Sequence, residues 1–363
     1  MTLDRLFSPL KVGSLELPNR IVMAPLTRGR AGAERTPNDM MVEYYALRAD
    51  AGLIITEATD ISPQGAGWLG APGIHNEAQV AGWQKVTSAV HNKGGRIFLQ
   101  LWHTGRASHP DFQSGGALPV SSSAIAIEGM AHTPQGKKPY VAPRALELDE
   151  IPGIIQQYVD ATHCARDAGF DGVEIHAANG YLIDQFIRDR VNQRTDAYGG
   201  SIPNRLRLLD EVTAAVVGAW SSDLVGVRLS PTSPFNDMSD SDPVATFCYA
   251  AEILNAYDLA YLHVMEALPG HMLAGPEGLL CAPDMRTTFN DTFILNGGYT
   301  AELAESAIAE GDTDLVAFGV PFIANPDLVE RFRTGAELNP PDPNTFYTAG
   351  AEGYIDYPVL ASV

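Results

Sequence analysis

Basic residues are scarce in this chain: 24 Lys and Arg stand against 44 Asp and Glu, a formal net charge of −20. Binding a phosphate backbone relies on clustered Lys and Arg that release counterions, so no nucleic-acid partner is expected and the acidity reads as a solubility feature. Cysteine is rarer still, with three residues, Cys164, Cys248 and Cys281, and no close pair. That pattern gives neither a disulfide framework nor a zinc knuckle and fits a reducing, cytoplasmic setting. No apolar run is long enough to span a bilayer, and the start Met1-Thr2-Leu3-Asp4-Arg5 lacks the basic and then apolar order of a signal peptide, so no membrane partner is expected. A Gly-x-Gly-x-x-Gly after the first β-rich run is missing too, which argues against a doubly wound dinucleotide fold.

What is present is an ordinary core-forming composition, 45% hydrophobic and 19% charged over 363 residues. Eight β-rich runs recur, at 20–26, 53–61, 96–103, 172–179, 224–231, 259–266, 293–299 and 315–322. Several are nearly continuous apolar stretches, as parallel strands covered on both faces should be. Between them, segments such as 151–168, 203–220 and 301–310 carry helical periodicity. The pattern predicts an α/β chain folded as a (β/α)8 TIM barrel, in one domain over 1–363. Residues 6–18 alternate around Gly13-Ser14 and predict an N-terminal β-hairpin closing the barrel bottom. The Gly-, Pro- and Ser-rich stretch at about 104–147, after the third strand, is too long for an ordinary βα loop and predicts a β-rich excursion over the active-site face, placed to act as a lid.

Catalytic groups in such barrels sit at the C-terminal strand ends, and polar residues concentrate there. His176 and Asn179 precede Tyr181 at the fourth strand exit. Two hydrogen-bond donors could hold a carbonyl oxygen on which charge develops, and a phenol could protonate the neighbouring carbon. The structural alternative is a satisfied core histidine beside an Asn-Gly turn. Gln100 and Trp102 share one face of the third strand; the amide could pair with a flat heterocycle, or bond to backbone while the indole packs. Arg228, inside an apolar run, needs an anionic or electron-rich partner, which a cofactor or a buried carboxylate would supply. Gly297-Gly298 and Gly319-Val320 end the seventh and eighth strands, where barrels often hold phosphate on backbone N–H groups, although tight turns also use glycine.

Taken together, Ala24-Pro25-Leu26-Thr27, Gln100-Leu101-Trp102-His103-Thr104-Gly105-Arg106, the run from His176 through Tyr181 to Phe186, and Arg194-Thr195-Asp196-x-Tyr198-Gly199-Gly200-Ser201 resemble the Old Yellow Enzyme family of FMN-dependent ene-reductases, including its N-ethylmaleimide reductase-like members. The likeness continues through Phe318-Gly319-x-Pro321-Phe322-Ile323-Ala324-Asn325-Pro326 to Tyr347 and Gly353-Tyr354. It implies FMN as cofactor, NAD(P)H as hydride donor, and activated alkenes conjugated to a carbonyl or nitro group as small-molecule substrates. It also implies that Pro25, Leu26, Thr27, Ala58, Gln100 and Arg228 contact the flavin, with Gly297, Gly298, Gly319 and Val320 at its phosphate. His176 and Asn179 would then hold the substrate oxygen, Tyr181 would donate the proton, and Trp68, Trp102 and Tyr347 would shape the pocket. One departure stands out: the family usually carries Arg where this chain has Val320. Two rivals remain at this stage: a metal-dependent barrel hydrolase using His103, His176 and His263, and a flavin-binding sensor or store without turnover.

Overall fold

Each β-rich run supplies one barrel strand: β1 (Ile21–Met23), β2 (Leu53–Ile55), β3 (Ile97–Trp102), β4 (Gly172–His176), β5 (Val225–Leu229), β6 (Tyr261–Met265), β7 (Phe293–Asn296) and β8 (Leu315–Phe318); the run 53–61 adds a short second piece, Thr59–Asp60, also parallel to β3. The computed structural model describes residues 2–361 other than 272 and 277. Every strand pairs with the next, and β8 returns to β1 through Val316↔Ile21 and Phe318↔Met23, closing the (β/α)8 barrel. The strands are shorter than the runs because the ladder ends where the chain turns into the polar loops at the barrel mouth. Registers Glu174↔Gln100, His176↔Arg228 and Arg228↔His263 bring the polar residues of adjacent strands side by side, and Met265↔Asn296 sets Asn296 at the end of the same ladder.

Alternation along the strands separates two cores. Val22, Leu53, Phe98, Tyr261, Ile294 and Leu315 fill the barrel, and Val12 and Leu17 join them from the predicted hairpin, which pairs Leu10–Val12 with Leu15–Leu17. A Cβ on Gly226 would collide with the Tyr261 ring, so glycine is what lets that ring cross the interior. Leu99, Leu101, Val173, Ile175, Val227 and Val264 belong instead to the larger cluster shared with the helices. Some helices start on side-chain caps, as where Asn76 accepts from Gln79 N–H and Thr300 from Leu303 N–H, whereas Ile151–Asp167 and Arg207–Ala219 start without one. Ile151–Asp167 and Ala301–Glu310 match the helical periodicity, whereas 203–220 divides into Ile202–Arg205 and Arg207–Ala219 about Leu206. No helix among the described residues is long and apolar enough to cross a membrane.

The excursion contains a parallel pair, Val120–Ser121 with Arg144–Ala145, and a hairpin, Met130–Thr133 with Gly136–Pro139. Ser121 Oγ donates to Gln185 Oε1 at 2.9 Å, and the Arg106 guanidinium donates to the carbonyls of Ile125 at 3.2 Å and Asn236 at 2.8 Å. The bonds to Gln185 and Asn236 tie the excursion to the segments after β4 and β5, and Ile127 and Tyr140 pack with Trp102, Tyr181 and Ala58. These contacts set it beside Trp102 at the end of β3 and Tyr181 after β4.

Candidate active site

The segment leaving β4 places its side chains through two consecutive left-handed residues, Asn179 at φ 56 and Gly180 at φ 74. Asparagine tolerates that region better than most residues, and Gly180 is packed against Asn236 and Met238 where a Cβ would not fit. Both backbone groups of Asn179 are pinned: its N–H donates to Ser230 Oγ at 2.7 Å, and its carbonyl accepts from Asn236 Nδ2 at 2.9 Å. Its side-chain amide makes no bond to protein among the described residues.

His176, Trp102 and Tyr181 form one aromatic corner. The Tyr181 ring stands edge-on to Trp102 at 4.9 Å and to His176 at 5.0 Å. His176 Nδ1 accepts from Ala178 N–H at 3.4 Å, which leaves the proton on Nε2 as a donor. Burial first, then the Arg228 cation and the neighbouring His263 imidazole, hold the His176 pKa well below the usual imidazole value, so the ring is neutral. Burial likewise raises the Tyr181 hydroxyl above the ordinary phenol value, Tyr140 and Tyr347 add to the effect, and only Asn236 opposes it. The phenol thus keeps its proton at neutral pH.

Deeper in the mouth, Gln100 Nε2 donates to Glu174 Oε1 at 2.7 Å, and the other carboxylate oxygen meets His263 Nδ1 at 2.8 Å. Arg228 reaches His263 Nε2 at 3.1 Å through Nη1 and Asn296 Oδ1 at 3.0 Å through Nη2. The electron-rich partners asked of Arg228 are therefore an imidazole and an amide; the nearest carboxylate, Glu174, lies one residue further along. Arg228 Nε remains buried with no protein partner among the described residues. An orphaned interior guanidinium N–H is expensive unless something else accepts from it.

At the rim, Trp68 lies 5.4 Å from Tyr347, which is 61% exposed. The chain carrying Tyr347 is held by two arginines the sequence did not single out: Arg28 Nε donates to the Phe346 carbonyl at 3.0 Å and Arg30 Nη1 to the same oxygen at 2.7 Å. Pro25, Leu26 and Thr27 follow β1, and Leu26 packs beside Gly319. Gly297 and Gly298 leave β7 at φ 140 and 97, which aims successive backbone groups in directions other residues rarely adopt. The three histidines of the hydrolase alternative do not converge, since His263 is committed to Glu174 and Arg228; among the described residues no three potential ligands could hold a metal.

Residues 5–339 match the model of the NADH:flavin oxidoreductase / NADH oxidase family. The chain belongs to that family. Its Old Yellow Enzyme character is also seen in an old yellow enzyme homologue from Zymomonas mobilis, 47% identical with a TM-score of 0.96, covering 98% of this chain and 99% of that one. Rice 12-oxophytodienoate reductase 7 (Oryza sativa subsp. japonica) is 46% identical over 98% of this chain and 94% of its own length. A probable flavin mononucleotide-dependent alkene reductase of Leishmania infantum is 44% identical over 99% and 98%. As a member of the family, the protein is a flavin oxidoreductase that takes FMN and a nicotinamide hydride donor.

The residues at the mouth fit FMN. The unpartnered Arg228 Nε and the Gln100 amide, whose oxygen is left free by the bond to Glu174, offer a donor and an acceptor suited to the imide edge of a flavin. At the other end, Gly298, Gly319 and the exposed Val320 present backbone N–H groups but no cationic side chain. Val320→Arg should therefore slow FMN loss on dilution, because a guanidinium can pair with phosphate bidentately. Release as fast as from the parent would show that the phosphate sits away from this loop.

Proposed function

We propose that this enzyme uses NAD(P)H to reduce the activated C=C bond of α,β-unsaturated carbonyl and nitro compounds, with Tyr181 delivering the proton. The observation that carries this reading is the His176–Tyr181 corner, where a neutral imidazole with its proton on Nε2 stands 5.0 Å from a protonated, buried phenol. Pro25, Leu26, Thr27, Ala58, Gln100 and Arg228 hold the FMN ring, and Gly297, Gly298, Gly319 and Val320 hold its phosphate. When bound, FMN would supply the hydride chemistry that links the coenzyme to the β-carbon of the alkene.

His176 Nε2–H and the Asn179 amide bind the substrate oxygen and stabilise the negative charge that gathers there, as a neutral donor pair fixed in advance can do. Tyr181 holds its proton beside that site and gives it to the α-carbon. Trp68, Trp102 and Tyr347 wall the substrate, and the excursion residues Ile127 and Tyr140 exclude water from the corner. A visible flavin band bleached by NAD(P)H and restored by an enone tests the reading; bleaching without restoration by any enone would leave a flavin store.

The electrostatics also fix a pH response. His176 is shifted down from about 6.5 and Tyr181 up from about 10, so neither changes charge between those values. The rate of flavin reoxidation by an enone should be flat from about pH 6.5 to 9.5. An inflection in that window that disappears in Tyr181→Phe would mean that the phenol ionises where burial should prevent it.

A further inference from the structure

Beneath the proposed flavin edge lies a chain of buried polar groups that the catalytic scheme does not use. Glu174 is fully buried, and each of its oxygens receives one donor, from Gln100 Nε2 at 2.7 Å and from His263 Nδ1 at 2.8 Å. Its bond to His263 places the ring proton on Nδ1, and Arg228 Nη1 rests against that ring, 3.1 Å from Nε2 and 3.4 Å from Nδ1. Its bond to Gln100 decides the amide orientation, because a carboxylate oxygen can face only the NH2 group. Asn296 fixes the other arm of Arg228, and is itself held by a bond from its Nδ2 to the Ala317 carbonyl at 2.7 Å.

We infer that Glu174 is a positioning residue, which sets the Gln100 amide and, through His263, the Arg228 guanidinium, and whose buried negative charge tempers the cation facing the flavin. The inference rests on the placement of the FMN edge proposed above. Only a carboxylate can do this, since two donors converge on its two oxygens and a neutral amide would offer one. Burial, and then Arg228, hold His263 down at a pKa of about 4, so it transmits the contact as a neutral ring and adds no charge of its own.

The readout is the oxidised-to-reduced ratio of bound FMN in the holoprotein, poised against an indicator dye of known potential, together with FMN retention on dilution. Glu174→Gln keeps the shape and removes the charge. Coulomb interactions decay slowly with distance in a buried site, so the ratio should move at least about tenfold toward reduced flavin, or about 30 mV for a two-electron couple. Glu174→Asp retains the charge and both oxygens and should stay within about threefold of the parent, less than half the log-shift of a tenfold change. No shift in Glu174→Gln, or equal shifts in the two variants, overturns the inference, because a packing role would not distinguish charge from shape. Should Glu174→Gln give no folded protein, His263→Asn decides. Its amide can still serve Glu174 but removes the ring that Arg228 rests against, so the ratio should move measurably, and an unchanged ratio overturns the inference. Arg228→Lys separates this outcome from failure of the FMN placement. If it alters neither ratio nor retention, the ring edge is not at Arg228 and both ideas fall; if it alters them while the Glu174 and His263 variants do not, only the inference about Glu174 falls.

Discussion

Tyr181→Phe should reduce FMN with NAD(P)H within a few-fold of the parent rate yet lose something on the order of 10²–10⁴ in the reduction of an enone, the usual reach of a positioned general acid. The substitution removes one hydroxyl and keeps a ring that packs edge-on against Trp102 at 4.9 Å and His176 at 5.0 Å, so the corner should not collapse. Hydride transfer from the coenzyme needs no proton from this phenol, which is why the two half-reactions should separate. Nitroalkenes supply an internal control, because hydride addition leaves a nitronate stable enough to depart and find its proton in water; their step should suffer far less. Stopped-flow traces of each half-reaction decide the matter. Equal losses in both halves, or no loss with the enone, would remove Tyr181 from the role of proton donor.

Removing either oxygen-binding donor should weaken phenol-like ligands, whose anionic oxygen would sit where substrate charge gathers. A hydrogen bond to a charged group contributes roughly 1.5–3 kcal/mol, about ten- to a hundredfold in affinity. His176→Ala tests one donor directly. At position 179 the backbone matters as well: φ is 56, and alanine there adds strain that asparagine and glycine avoid. Asn179→Gly is therefore the cleaner probe, since it deletes the amide and retains the turn. Phenol titrated against the flavin spectrum measures both variants, and unaltered affinity in each would place the oxygen site elsewhere.

Much of this molecule was legible before any coordinates. The eight strands, the hairpin around Gly13 and the inserted excursion follow from apolar periodicity and from where Gly and Pro interrupt it, which are local properties of the chain. Residue types at strand ends pointed to His176, Asn179, Tyr181, Gln100 and Arg228 because in a barrel all strand ends share one face. Helical periodicity over 203–220 does not report the division at Leu206 into Ile202–Arg205 and Arg207–Ala219.

What the sequence by itself determined is the barrel, its order and the chemical kind of groups at its mouth, since periodicity and residue type are properties of short stretches. Tertiary structure alone decided the partners. Glu174, within an apolar strand, and Asn296, at the end of β7, drew no reading from the sequence, and His263 reads only as a metal-ligand candidate; they become one hydrogen-bonded line to Gln100 and Arg228 because parallel register aligns β3 to β7. Arg28 and Arg30 hold the Tyr347 segment across more than three hundred residues of chain. Such contacts depend on how strands close into a barrel and where loops return, and no window of sequence contains both ends of them.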